Sequence, residues 1–234
     1  MYKRKFEKER NLCYNKVKEG KGGIFMKKGN IVKVIVLIII LLLLVVLLYF
    51  MRNVSIIQKL TNAYHDFFSS PNYSYIAYFD SDQVVEYFYK DGKYIERWKN
   101  KEKIVREIWA DEVSKEKIEI FPDSNIAHTG KIEEKETQPI DSISSLVSDN
   151  WTDKMKNSFS YTITTEEVNG KECYKLQPSR GVVSNTYYFD KETGKLARCI
   201  IGENSIDFTE WKLNEVTEEM VARPLLEKYE VKEN

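Results

Sequence analysis

The chain has 234 residues, 36 basic and 36 acidic, with two histidines, three cysteines, 15 tyrosines, 11 phenylalanines and four tryptophans. The even balance hides an asymmetry: 11 basic and 3 acidic residues lie at or before Lys33, leaving 25 basic against 33 acidic, a net of −8, beyond it. Such a surface argues against nucleic acid or anionic headgroups as partners, because both are polyanions.

Residues 31–50 are apolar apart from Lys33. At about 1.5 Å per residue this run matches a hydrocarbon core about 30 Å thick. Ten Lys or Arg precede it, whereas Arg52 and Lys59 are the only ones between it and Lys90. The positive-inside bias therefore predicts a single-pass anchor with a cytoplasmic N-terminus and an extracytoplasmic remainder. A cleaved signal peptide is the competing reading. Residues 34–50 exceed the usual h-region of about 7–15 residues, and no small-x-small cleavage site follows, which favours an uncleaved anchor. Lys21-Gly22-Gly23 can be encoded as a bacterial ribosome-binding sequence, with Ile24-Phe25 as spacer. A start at Met26 and an untranslated 1–25 are expected on that ground; a disordered basic tail is the alternative. The expected division is a cytoplasmic stub (1–30), a transmembrane helix (31–50) and one extracytoplasmic domain (51–234).

Val54, Ile56, Ile57, Leu60, Tyr64, Phe67 and Phe68 recur at helical spacing and predict an amphipathic helix over 54–68, ended by Ser69-Ser70-Pro71. From Tyr73 the period becomes two. Segments 73–79, 84–90, 93–98, 103–109 and 116–121 read as an antiparallel meander. Asp91-Gly92 fits a two-residue type I′ turn. It sets Tyr89 opposite Tyr94, Tyr87 opposite Glu96 and Val85 opposite Trp98 on one face, with Phe88–Ile95 and Glu86–Arg97 on the other. The first face is the candidate interior. Residues 123–139 lack periodicity and read as a mobile loop. Residues 140–159 suggest one or two short helices capped at Asp141 or Ser142, with Ile143, Leu146, Val147, Trp151 and Met155 on one side.

A second meander follows: 161–168, 171–177, 185–190, 195–201 and 206–213. Its Asn169-Gly170 turn aligns Ile163 with Leu176 and Thr165 with Tyr174 on an apolar side, and Thr164, Glu166, Cys173 and Lys175 on a polar one. Residues 190–195 read as a hairpin loop with Gly194 left-handed and Asp190–Lys195 closing it. Thr217 is expected to cap a helical turn before Pro224 and an extended end.

Chemistry-bearing patterns are sparse. His65 and His128 are poorly placed for a nucleophilic triad, and no G-x-S-x-G, H-E-x-x-H or phosphate-cradling glycine loop occurs. Neither enzymatic activity nor a cofactor is expected. Asp80-Ser81-Asp82 and Asp111-Glu112 read as turns rather than metal ligands. A Cys173–Cys199 disulfide is disfavoured, since a simple meander sets those strands two spacings apart, about 9–10 Å.

A helix, antiparallel strands, covering helices and more strands together resemble the lipoprotein-carrier (LolA-like) superfamily. The resemblance rests on residues 168–174 leading into 187–196 and on the closing 211–229 segment with Pro224. It implies an α+β fold in which a curved, half-open barrel wraps around helices. It also implies a hydrophobic ligand, a lipid or lipoprotein acyl chain, held in the hollow. On that reading Tyr87, Tyr89, Tyr94 and Trp98 are candidate lining, unless they are ordinary core. The alternative is an envelope protein-interaction or signal-sensing module with a filled interior. An apolar hollow of several hundred Å³ favours the first, and a packed interior the second.

Overall fold

A computed structural model describes residues 28–79, 82–132, 143, 146–148, 150–179 and 185–233. The chain divides into two compact units, one through Tyr49 and one from Phe50 onward. Helix α1 (Lys28–Phe68) belongs to both. In the first unit its side chains from Ile31 to Tyr49 are all exposed. Among the described residues α1 is the one helix long and apolar enough to cross a membrane, and a signal sequence passes the same test of length and composition.

The second unit is α+β. Its strands are β1 (Asn72–Phe79), β2 (Gln83–Lys90), β3 (Lys93–Asn100), β4 (Lys103–Asp111), β5 (Glu116–Phe121), β6 (Ile126–Lys131), β7 (Tyr161–Val168), β8 (Lys171–Pro178), β9 (Thr186–Asp190), β10 (Leu196–Ile201), β11 (Asn204–Leu213) and β12 (Glu230–Glu233). They form one curved, unclosed sheet in the order β12-β6-β5-β4-β3-β2-β1-β11-β10-β9-β8-β7. Two sequential meanders thus meet at the β1–β11 pair, where Tyr73 lies opposite Leu213 and Phe79 opposite Ile206. All neighbours are antiparallel except β12, which runs parallel to β6.

The hairpin registers follow from the turns. Asp91 and Gly92 both have positive φ, the geometry of a type I′ turn. They place Tyr89 opposite Tyr94, Tyr87 opposite Glu96 and Val85 opposite Trp98. Asn169-Gly170 does the same for β7 and β8, pairing Ile163 with Leu176 and Thr165 with Tyr174.

One face of the sheet packs around the second half of α1, whose Ile56, Ile57, Leu60 and Phe67 are buried among Tyr75, Ala77, Tyr87, Ile108, Ile163, Leu176, Phe189 and Phe208. Helix α2 (Trp151–Ser160) is capped by the Asn150 side chain, which accepts from the Thr152 N–H at 2.9 Å. A strap covers the opposite face of β2–β6: a 3-10 turn (Glu219–Val221), then Leu226 and Tyr229 over Ile95, Trp109, Ile118 and Ile120. The Trp109 indole N–H donates to the Val221 carbonyl at 2.8 Å. Asn72 holds the strap's start through a reciprocal pair of hydrogen bonds with the Val216 backbone, 2.8 and 3.0 Å.

Four expectations are corrected. The segment from residue 123 is not all loop, because 126–131 form β6; Ile118, Ile120 and Ala127 bury together there, and β12 pairs along its outer side. Trp151 does not join Ile143, Leu146 and Val147 in the core, since α2 buries Lys154 and Ser158 instead. Cys173 shares the predicted face with Thr164, Glu166 and Lys175, but that face is not polar throughout, since Cys173 is fully buried there with Val168 and Tyr188. At the 3-10 turn the Thr217 carbonyl accepts from the Met220 N–H at 3.1 Å, and no side chain caps. The Asp141 and Ser142 cap, and Asp80-Ser81, lie outside the described residues.

Candidate functional site

The candidate lining residues stand on β2 and β3, and strand alternation puts Tyr87, Tyr89, Tyr94 and Trp98 on the face that meets α1. Three of them join one stacked array. Tyr87 lies 5.2 Å from Tyr75, 5.7 Å from Tyr94 and 6.0 Å from Tyr73, with ring planes within 24°. Tyr89 stacks on Tyr73 at 4.8 Å. Trp98 stands apart, stacked on Phe79 at 5.6 Å, its indole N–H donating to the Glu96 carboxylate. Tyr87 and Tyr94 are buried; Tyr89 and Trp98 are half-buried at the rim. The array continues through Tyr75 onto Trp211 of β11 at 5.1 Å, and Trp211 meets Phe67 of α1 edge-on at 4.9 Å.

Tyr73, Tyr75 and Trp211 complete this surface and were not singled out from sequence. The alternation of Tyr73 and Tyr75 along β1 was a usable signal for the first two. Trp211 required knowing that β11 crosses over to pair with β1.

Burial is the first cause of the electrostatics. It pushes the Tyr73 phenol above its ordinary value, and it raises Tyr89 together with the negative Glu112 carboxylate, which accepts from the Tyr89 hydroxyl at 3.3 Å. Tyr73 and Tyr89 therefore stay neutral across the physiological range. The array offers stacked π faces, and Tyr89 a hydroxyl donor.

Between α1 and the β9–β10 turn, the apolar recess lined by Tyr64, Phe67, Phe68, Ile143, Leu196 and Trp211 encloses only about 10 Å³. A larger groove of about 530 Å³ opens beside it, lined mostly by polar residues such as Ser55, Gln58, Asn62, Asp66 and Thr193. Lys195 borders both. Burial lowers its pKa, partly offset by Asp190, and its ammonium sits 5.3 Å above the Phe67 ring. The turn is held by the Asp190 carboxylate, which accepts from the Glu192 and Thr193 N–H groups at 2.8 and 2.9 Å. Burial works to raise the pKa of Asp190, but these donors and Lys171 outweigh it and hold the carboxyl below its ordinary value. The predicted Asp190–Lys195 closure is a backbone bond, Asp190 N–H to Lys195 carbonyl, 2.9 Å.

The other chemistry-bearing residues do not converge on this site. His65 Nε2 contacts the Val147 carbonyl at 3.1 Å, and His128 lies edge-on to Phe121 on β6. Asp111 Oδ1 accepts from Val113 and Ser114 N–H groups in a turn. Cys173 and Cys199 are buried free thiols on β8 and β10, with β9 between them. No cluster of three His, Cys, Asp or Glu side chains among the described residues is arranged to hold a metal.

No family model matches the chain, and no curated protein matches it. Solved structures do. MucB aligns over 74% of this chain and 63% of its own, at 12% identity and TM-score 0.42. A DUF1329 family protein from Desulfovibrio piger aligns over 72% of this chain and 96% of its own, at 11% identity and TM-score 0.33. PNGF-II aligns over 70% of this chain, at 9% identity and TM-score 0.33. The chain spans about a third of the length of PNGF-II and under two thirds of that of MucB.

Proposed function

We propose that this chain is a bacterial single-pass membrane protein with its N-terminus in the cytoplasm. Its outer domain, a LolA-like fold, works there as a non-enzymatic protein-interaction or signal-sensing module of the cell envelope. The observation that carries this reading is the close packing of α1 on the sheet among the described residues, where Ile57 and Leu60 are buried with Tyr75, Tyr87, Phe189 and Phe208. A pocket for a lipid-sized ligand needs roughly 300 Å³ or more, whereas the apolar recess under α1 offers about 10 Å³. Interaction surface is available elsewhere: β7 ends the sheet, and its Thr162, Thr164, Thr165, Glu166 and Glu167 are exposed.

A second reading, uptake of a lipid or lipoprotein acyl chain onto Tyr87, Tyr89, Tyr94 and Trp98, draws support from the apolar lining of the recess. It requires α1 to move off the sheet. Calorimetry of the full chain in nanodiscs, titrated with a short water-soluble acylated peptide and corrected with empty nanodiscs, separates the two. The filled-core reading expects no saturable heat. Saturable one-to-one uptake overturns it and leaves the aromatic face as a ligand site.

A further inference from the structure

Helix α2 carries an apolar stripe whose two aromatic ends the fold leaves exposed, with Met155 half-buried between them. Trp151, Met155 and Phe159 recur at i, i+4 and i+8. At about 100° and 1.5 Å per residue they fall on one strip roughly 12 Å long, turned about 80° from the line through Lys154 and Ser158. Those two are the residues α2 buries. Trp151 is 61% exposed and Phe159 66%.

The orientation of the strip is fixed. Lys154 Nζ donates to Gln58 Oε1 of α1 at 2.9 Å, Asn53 Nδ2 donates to the Ser158 carbonyl at 3.4 Å, and Asn157 Nδ2 donates to the Leu146 carbonyl at 3.0 Å. These bonds pin the helix about its own axis. Two large aromatics held outward on one short helix point to something apolar beyond them.

A second observation says what that is. The Phe159 ring stacks on Phe50 at 4.5 Å and 19°. Phe50 is the last residue of the apolar run that begins at Ile31. If that run spans the bilayer, covalent connection puts Phe50, and with it Phe159, at the boundary of the hydrocarbon.

We propose that α2 is a second membrane contact of this chain: Trp151, Met155 and Phe159 insert into the interfacial layer of the phospholipid bilayer that residues 31–50 span. The inference rests on the anchored reading above. Aromatic side chains favour the headgroup level, and the remaining faces of α2, with Thr152, Asp153, Lys156 and Ser160, suit the aqueous side of an interfacial helix. The net acidity of the domain does not oppose this. Once the span is inserted the second contact is intramolecular, so effective concentration and apolar area drive it in place of headgroup charge.

The test uses the full chain in phosphatidylcholine vesicles, with and without phosphatidylglycerol, containing a phospholipid that bears a photoactivatable diazirine near the head end of its acyl chain. Labelled peptides are mapped by mass spectrometry. Label is expected in 31–50 and in 151–160 in both vesicle types. The Trp151→Ser/Phe159→Ser variant, altered only at exposed positions, is expected to lose at least fivefold of the 151–160 label with the 31–50 label unchanged. Label in 31–50 without label in 151–160 overturns the contact and leaves the anchor standing. No label in either overturns the anchor, and the contact with it. Label in 151–160 that needs phosphatidylglycerol, or that survives the double substitution, overturns the apolar stripe as its cause.

Discussion

Gly194 is where the β9–β10 turn meets α1. Its φ is +73°, and a Cβ there would lie 2.7 Å from the Ala63 Cβ, inside any tolerated contact. Gly170 has nearly the same φ, +76°, with nothing within 4 Å. Gly194→Ala is therefore expected to cost about 1–3 kcal/mol for the backbone alone, with the contact added, and more than Gly170→Ala. Thermal unfolding of the two variants in detergent checks this, and equal losses would remove the contact from the account. Cys199 makes a pH prediction. Burial first, and the Asp207 carboxylate second, push its thiol from an ordinary value near 9 up to about 12. The folded state then holds the proton more tightly than the unfolded state, so this contribution to stability is whole below pH 9 and is lost as pH rises toward 12. Between those limits the chain is expected to lose stability more steeply than Cys199→Ala, whose cavity shifts the baseline but not the slope. Parallel slopes would refute the assignment.

Among the elements, the C-terminal strap is the clearest dependency. Leu226 and Tyr229 close the cluster around Trp109, Ile118 and Ile120, and β12 covers the outer side of β6. Truncation after Val221 is expected to expose that cluster, read as binding of a hydrophobic dye, while the stacked tyrosines on the other face keep their near-ultraviolet dichroism. Loss of both signals would mean that the two faces do not fold independently. The strap also shows where sequence reading stops. Local turn chemistry specified the registers at Asp91-Gly92 and Asn169-Gly170, because positive φ at both turn residues allows one alignment of the strands. By contrast, 126–131 (Ile-Ala-His-Thr-Gly-Lys) has little alternation of its own and becomes a strand through partners on both sides. Trp151 fitted a helical core pattern with Leu146 and Val147. The hydrogen bonds of Lys154 and Asn157 turn it outward, and such polar pinning has no periodic signature.

Across the whole molecule, the aromatic face could be read from one hairpin, but its closure could not, since Trp211 reaches Tyr75 only when the second meander docks on the first. That docking occurs along a single line, the β1–β11 pair. The β1 segment, Asn-Tyr-Ser-Tyr-Ile-Ala-Tyr-Phe, has no charge, proline or glycine, a composition well suited to pairing with stray strands. It is made early, its partner β2 directly after it and its partner β11 late. At about 5–20 residues per second, the interval between completing Phe79 and reaching Asn204 is on the order of ten seconds. Throughout that time β2 covers one edge of this ribbon and the other stands open. The length of that exposure is therefore set by how soon β11 follows in the sequence.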